Sequence, residues 1–186
     1  MRWRVSLILF LAGLILAGCA GTSRQTYSFR DSLVSPYRLD SGDQLAVVVF
    51  GQPNLTKSYS IDGAGNLAMP LIGAVPARGL TERELESRIS EELRQGYLRD
   101  PNVTIEVTQY RPFFILGEVR NPGQYPFVNG MTVQTAVAIA GGYTERASRR
   151  MADISRQYSG RIVQGRVGAD HPVRPGDTVY INERFF

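Results

Sequence analysis

One cysteine, one histidine, one lysine and one tryptophan are all that this 186-residue chain holds of those four types. A single thiol excludes an intrachain disulfide framework and any multi-cysteine zinc site. A single histidine, His171, excludes a histidine-rich metal centre and leaves little for nucleophile–histidine catalysis. No metal or cofactor is expected from this inventory, which leans away from most enzymes. Lys57 being the only lysine, the basic character rests on arginine. Basic residues number 21 against 17 acidic ones, and two of them, Arg2 and Arg4, sit at the extreme N-terminus. The small excess without those two does not point to nucleic acid. Hydrophobic content of 43% with 20% charged residues excludes a disordered or collagen-like chain. The length allows one or two small domains, each with its own core.

Long apolar runs are also scarce. The principal one, Val5 to Gly18, contains only Ser6 as a clearly polar residue and follows the cationic start Met1-Arg-Trp-Arg4. A transmembrane helix needs roughly 20 apolar residues, so this run is short for a permanent span and has the proportions of a secretory h-region. It leads into Leu16-Ala-Gly-Cys19, which resembles the lipobox of bacterial lipoproteins in every position. That resemblance implies a signal peptide over 1–18, cleavage between Gly18 and Cys19, and lipidation of Cys19. Two or three acyl chains hold a protein firmly at a membrane where one holds it marginally. Ala20, in place of the aspartate that favours inner-membrane retention, points by the same resemblance to the outer membrane, with the protein facing the periplasm. An uncleaved anchor with an incidental cysteine is the alternative. Residues 19–35, rich in Ser, Thr, Gly and Arg, read as a tether.

The remainder reads as two small α/β units, 36–110 and 111–186, and the fold class as α+β. In the first, Leu45 to Phe50 is a buried strand. Tyr59-Ser-Ile61 and Leu67-Ala-Met69 flank a glycine turn ending at Gly65 and suggest a hairpin. Thr81 followed by Glu84 forms a capping box, and Leu85, Ile89 and Leu93 mark one helical stripe. Glu84 stands four residues before Arg88, a favourable surface pair. Val103, Ile105 and Val107 alternate with polar residues as a half-buried strand. In the second unit, Phe114 to Leu116, a turn through Gly123 and Gln124 to Phe127 form a hairpin. A helix from Met131 to Ala140, capped by Thr132, stops at Gly141-Gly142. Strands at Arg161–Val163 and Thr178–Ile181 return beside it, which describes a β-grasp-like domain.

Ser41-Gly-Asp43-Gln-Leu45 and Pro175-Gly176-Asp177-Thr-Val179 echo each other. In both, glycine supplies a turn and aspartate can satisfy nearby backbone N–H groups. A catalytic aspartate pair is the competing reading of Asp43 and Asp177. The stretch from Glu145 to Arg166 holds six arginines against two acids. Arg146, Arg149, Arg150 and Arg156 are candidates for contact with an acidic polymer or partner, against the plainer reading of a solvated loop. His171, beside Pro172, reads as a surface residue.

Tyr37 to Leu45, Ile61 to Gly65, Met69 to Gly73, Gly79-Leu-Thr81 and Asp100-Pro-Asn-Val103 together resemble the export domain of outer-membrane polysaccharide export proteins. Gly117-Glu-Val-Arg-Asn-Pro-Gly-Gln-Tyr125 and Ala140-Gly-Gly142 resemble the soluble-ligand-binding β-grasp (SLBB) domain that follows in that family. The resemblance implies a non-catalytic conduit: a lipid-anchored homo-oligomeric ring that passes capsular polysaccharide or exopolysaccharide and contacts an inner-membrane co-polymerase. Long members continue into an amphipathic pore helix, whereas this sequence stops at Phe186. A separate outer-membrane pore, a β-barrel, is therefore an expected partner. A glycan- or small-ligand-binding module without conduit role is the alternative, and a polysaccharide-modifying enzyme is a third class. No pair of carboxylates stands out for the latter.

Overall fold

The computed structural model describes Phe29 and residues 35–184. Gly18, Cys19 and most of the expected tether lie outside the described residues. Two helices and ten strands are present among those described, an α+β fold with two hydrophobic cores.

In the first unit, β1 (Gln44–Val49) lies between β2 (Lys57–Ser60) and β5 (Val103–Gln109), antiparallel to both. The expected hairpin across Gly65 reduces to one bridge, Ile61 to Leu67, because each flanking segment has a better partner. β2 pairs with β1, while β3 (Asn66–Met69) pairs with β4 (Gly73–Pro76). Helix α1 (Glu82–Arg94) buries Leu85, Ile89 and Leu93 completely in this core. Burying each such side chain is worth about 1.5–3 kcal/mol. Its capping box forms as the sequence requires, with Thr81 N–H donating to Glu84 at 2.7 Å. Glu84 does not pair with Arg88. Its carboxylate is held by the cap and by Arg38 Nη1 at 3.2 Å, and the Thr81 N–H above all lowers its pKa.

Two other acids of α1 close the sheet edge. Ile105 N–H donates to Glu86 at 2.8 Å and Val107 N–H donates to Glu82 at 3.0 Å. The free donors of an edge strand are thereby occupied within the chain.

The second core is built on a five-stranded sheet. β6 (Phe113–Gly117), β7 (Gly123–Tyr125), β8 (Met151–Tyr158), β9 (Arg161–Gly168) and β10 (Thr178–Ile181) run in the order β7-β6-β10-β8-β9. Only β6 and β10 are parallel. Helix α2 (Val133–Ile139) follows the first hairpin and buries Val133, Ala136 and Val137 against the sheet. A hairpin, a crossing helix and a last strand parallel to the first make the β-grasp arrangement.

The arginine-rich stretch divides in two. Arg146, Arg149 and Arg150 lie exposed in the turns before β8, as a solvated loop would have them. β8 and β9 form a hairpin in unbroken register from Met151↔Gly168 to Tyr158↔Arg161. Ala152, Ile154, Val163 and Val167 point inward, so Arg156, Arg161 and Arg166 sit within an ordinary alternating strand pair. Gly123 differs as well. It lies in β7 opposite Ile115 without a left-handed backbone, so no turn depends on it.

Candidate functional site at the joint between the units

The two Gly-Asp turns meet across the junction of the units, with Arg111 between them. In the first, Asp43 N–H donates to Asp40 O at 3.2 Å; in the second, Asp177 N–H donates to Arg174 O at 3.1 Å. Each carboxylate is fully buried and accepts from the backbone three residues back, Asp40 N–H at 2.9 Å and Arg174 N–H at 2.8 Å. These are turn-closing roles. The Tyr37 hydroxyl also donates to Asp43, at 2.6 Å. Burial raises the Tyr37 pKa above the ordinary phenol value, which keeps its proton available for that bond.

Arg111 reaches both turns. Its N–H donates to Asp43 Oδ1 at 2.9 Å, its guanidinium donates to the Tyr37 hydroxyl at 2.9 Å, and the Asp43 ion pair closes at 3.4 Å. On the other side, Gly176 N–H donates to Pro112 O at 3.1 Å. Gly176 has φ +81, and a Cβ there would come within 2.5 Å of Arg111 Nε. Backbone and space both require glycine.

Arg156 is buried in the second turn. Its Nε donates to Asp177 Oδ1 at 2.8 Å and its Nη2 to Oδ2 at 2.6 Å, a two-pronged pair with Arg156 only 4% exposed. The expectation that Arg156 reaches a polymer from the surface is thus corrected: its strand parity turns it inward to neutralise Asp177. Arg146 is exposed and bound to Glu183, Arg149 lies 6.0 Å over the Tyr143 ring, and Arg150 is exposed. His171 is half-buried, not a surface side chain. It stacks 5.7 Å from Phe29, and its Nε2 has no hydrogen-bond partner among the described residues. Burial, then Arg156, lower its pKa.

The turns and Arg111 floor a cleft in two parts, of about 450 and 500 Å³. Asp40, Arg78, Arg111, Gln157 and Pro175 line both. The first part adds Arg38, Tyr37, Tyr158, Arg156 and Arg174, and the second adds Phe114 and Gly63. Arg78 is set by the turn at Gly65, where φ is +89 and the carbonyl accepts from both Ala77 and Arg78 N–H at 2.9 Å. Its Nε donates to Asp40 at 2.9 Å and its Nη2 to Gly63 O at 2.8 Å. Burial, then the neighbouring Arg156, lower the Arg174 pKa. Neither part of the cleft is lined by Arg146, Arg149 or Arg150. The cleft went unnoticed in the sequence because its arginines are spread from 38 to 174. The paired Gly-Asp motifs were the one available sign of it. Among the described residues no group of three metal-ligating side chains occurs, and no helix is long and apolar enough to cross a membrane.

Family models match in the order of the two cores: polysaccharide biosynthesis/export protein over residues 31–108, then an SLBB domain over 112–167. Arg111 falls in the gap between them. The exopolysaccharide production protein ExoF of Rhizobium meliloti is 38% identical over 86 residues, 45% of this chain and 20% of that protein. The EPS I polysaccharide export outer membrane protein EpsA of Ralstonia nicotianae is 28% identical over 184 residues, 81% of this chain and 48% of that protein. The polysialic acid transport protein KpsD of Escherichia coli is 26% identical over 161 residues, 80% of this chain and 28% of that protein. The chain thus spans between a fifth and a half of the length of these curated relatives. An export domain over residues 31–108 and an SLBB domain over 112–167 thus follow one another on a two-core fold, the domain pair of polysaccharide export proteins.

Proposed function

We propose that this protein is a non-catalytic component of a capsular polysaccharide or exopolysaccharide export conduit, held at the outer membrane by lipid on Cys19 and facing the periplasm. The observation that carries this reading is the ordered pair of export and SLBB domains. Its relatives, which include an outer membrane export protein and a polysialic acid transport protein, support it. Moving a bulky hydrophilic chain calls for a lined passage, which a homo-oligomeric ring supplies through repeated subunit contacts. An inner-membrane co-polymerase is the partner this role calls for.

Deletion of the gene tests the reading. Surface polymer is expected to fall while lipid-linked precursor or periplasmic polymer accumulates, with recovery on complementation. Cys19→Ser should release the protein from the membrane fraction and weaken the recovery. Unchanged surface polymer after deletion would overturn the reading. A size measurement on the lipidated protein distinguishes a ring from a monomeric ligand-binding module.

A further inference from the structure

We propose that the cleft at the joint seats a carboxylate-bearing sugar segment of the polymer, with Arg78 and Arg38 as its first contacts. This rests on the export reading and adds a place and a substrate class to it.

The cleft is continuous, since both of its parts share Arg78, Arg111 and Asp40. Each part falls within the range of small-molecule sites, about 300–1,000 Å³. A two-part cleft suits an elongated ligand that crosses the saddle between the parts. Five arginines line it, and Asp40 is the only acid among the lining residues; Asp43 and Asp177 are buried behind, already engaged by the turns. Arg78 uses Nε and Nη2 within the chain, so Nη1 retains donors at the saddle. Arg38 bonds through Nη1 alone, to Gly79 O and Glu84. Both side chains are close to half exposed. Guanidinium forks match carboxylates with two parallel bonds.

Aromatic rings flank this charge on both sides. Tyr158 lines one part of the cleft and Phe114, 40% exposed, lines the other, while Tyr37 backs the first part with Arg111 over its ring at 5.5 Å. Rings offer flat apolar surface for the C–H faces of sugars. An acidic peptide would satisfy the arginines but would leave the rings without a matching face. The polymer is therefore the occupant the cleft favours.

Calorimetric titration of the full lipidated chain in detergent tests this with three probes: trigalacturonate, neutral maltotriose and triglutamate peptide. Saturable binding of trigalacturonate, stronger than that of either other probe and weakened by added salt, is expected. Arg38→Gln with Arg78→Gln should cost about tenfold in that affinity, the loss expected for charge-assisted hydrogen bonds. Arg38→Gln alone, which leaves the Arg78 bonds intact, should cost several-fold. Arg83→Gln with Arg88→Gln, on the exposed side of α1, should cost nothing. Absent saturation, equal or tighter binding of triglutamate or maltotriose, or indifference to the Arg38 and Arg78 changes would overturn the proposal. The deletion strain separates this from failure of the export reading. If deletion stops export while the cleft fails these tests, the cleft alone is wrong. If deletion leaves surface polymer unchanged, the role itself is wrong.

Discussion

Arg156 and His171 show how far the fate of a polar side chain is set by its neighbours. Arg156 faces inward on β8, and with Asp177 it makes a buried pair that includes both carboxylate oxygens. Removing one member of such a pair strands the other, at a cost of about 3–5 kcal/mol. Arg156→Met is expected to lower the unfolding free energy, measured by urea titration, by that amount. Arg156→Met with Asp177→Asn should cost far less than the two single changes added together, because no charge is then stranded. Additive losses would show that the pair does not act as one. His171 is a different case, because burial and the nearby Arg156 and Arg174 oppose its charging while Asp177 and Asp170 favour it. The net is a folded-state pKa below that of the unfolded chain. The unfolded chain therefore binds more protons as pH falls from about 6.5, and stability declines with acid from that point until the folded imidazole also titrates. Asp153 has its pKa lowered chiefly by the Arg166 hydrogen bond, and its contribution is lost only as pH drops below about 4. Thermal unfolding between about pH 7 and 5 should thus show a slope that His171→Asn removes. A slope that survives the substitution would assign it to another group.

At the scale of elements, the local signals were legible wherever they lay on one face. The α1 stripe of Leu85, Ile89 and Leu93, its capping box and the alternation of β5 all appear as the spacing requires. Thr132 caps α2 in the same way. What stayed hidden was pairing. The glycine turn at Gly65 suggested a hairpin, yet β2 pairs back to β1 and β3 forward to β4, each across its own short loop, so neighbouring turns competed with the one at Gly65. β8 was obscured because Arg146, Arg149 and Arg150 lead directly into it and only Ala152 and Ile154 mark its apolar side before Arg156. The cleft was the least legible feature, since its parts come from both units and no local spacing records them. Glu82 and Glu86 were equally silent, as exposed helix acids that turn out to cover a sheet edge. Their joint replacement by alanine should uncover the Ile105 and Val107 donors, with a loss of about 1–3 kcal/mol and a rise in self-association. Sedimentation of the double variant with urea unfolding checks both parts. Unchanged stability with no new oligomer would mean that water serves the edge as well as the carboxylates do.

For the whole molecule, the question is whether two cores of this size behave as two bodies or one. Their hydrophobic clusters are separate, ending at Val107 and beginning at Phe113. Small cores are individually marginal, so whatever couples them contributes to both. The coupling runs through few residues. Tyr110 packs edge-on against Tyr37 of the first unit at 5.0 Å and Phe127 of the second at 5.6 Å. Arg174 of the second unit donates to Ser35 O at 3.0 Å. Arg111 is a further link and a demanding one, because it neutralises the buried Asp43 and fills the space left by Gly176. Arg111→Met keeps the stem but removes the charge, which leaves Asp43 with Tyr37 and backbone donors. Urea unfolding of the parent protein should then follow one transition by far-ultraviolet circular dichroism and by tyrosine fluorescence. In Arg111→Met the two probes are expected to separate into two transitions, with the export unit, which holds Asp43, unfolding first. A single transition displaced to lower urea would show instead that the aromatic contacts and the Arg174 bond suffice to couple the units. The outcome bears on the cleft too, because a ligand bridging both walls stabilises only the joined state. If the joint opens in Arg111→Met, trigalacturonate should restore the single transition only at concentrations well above those that saturate the parent.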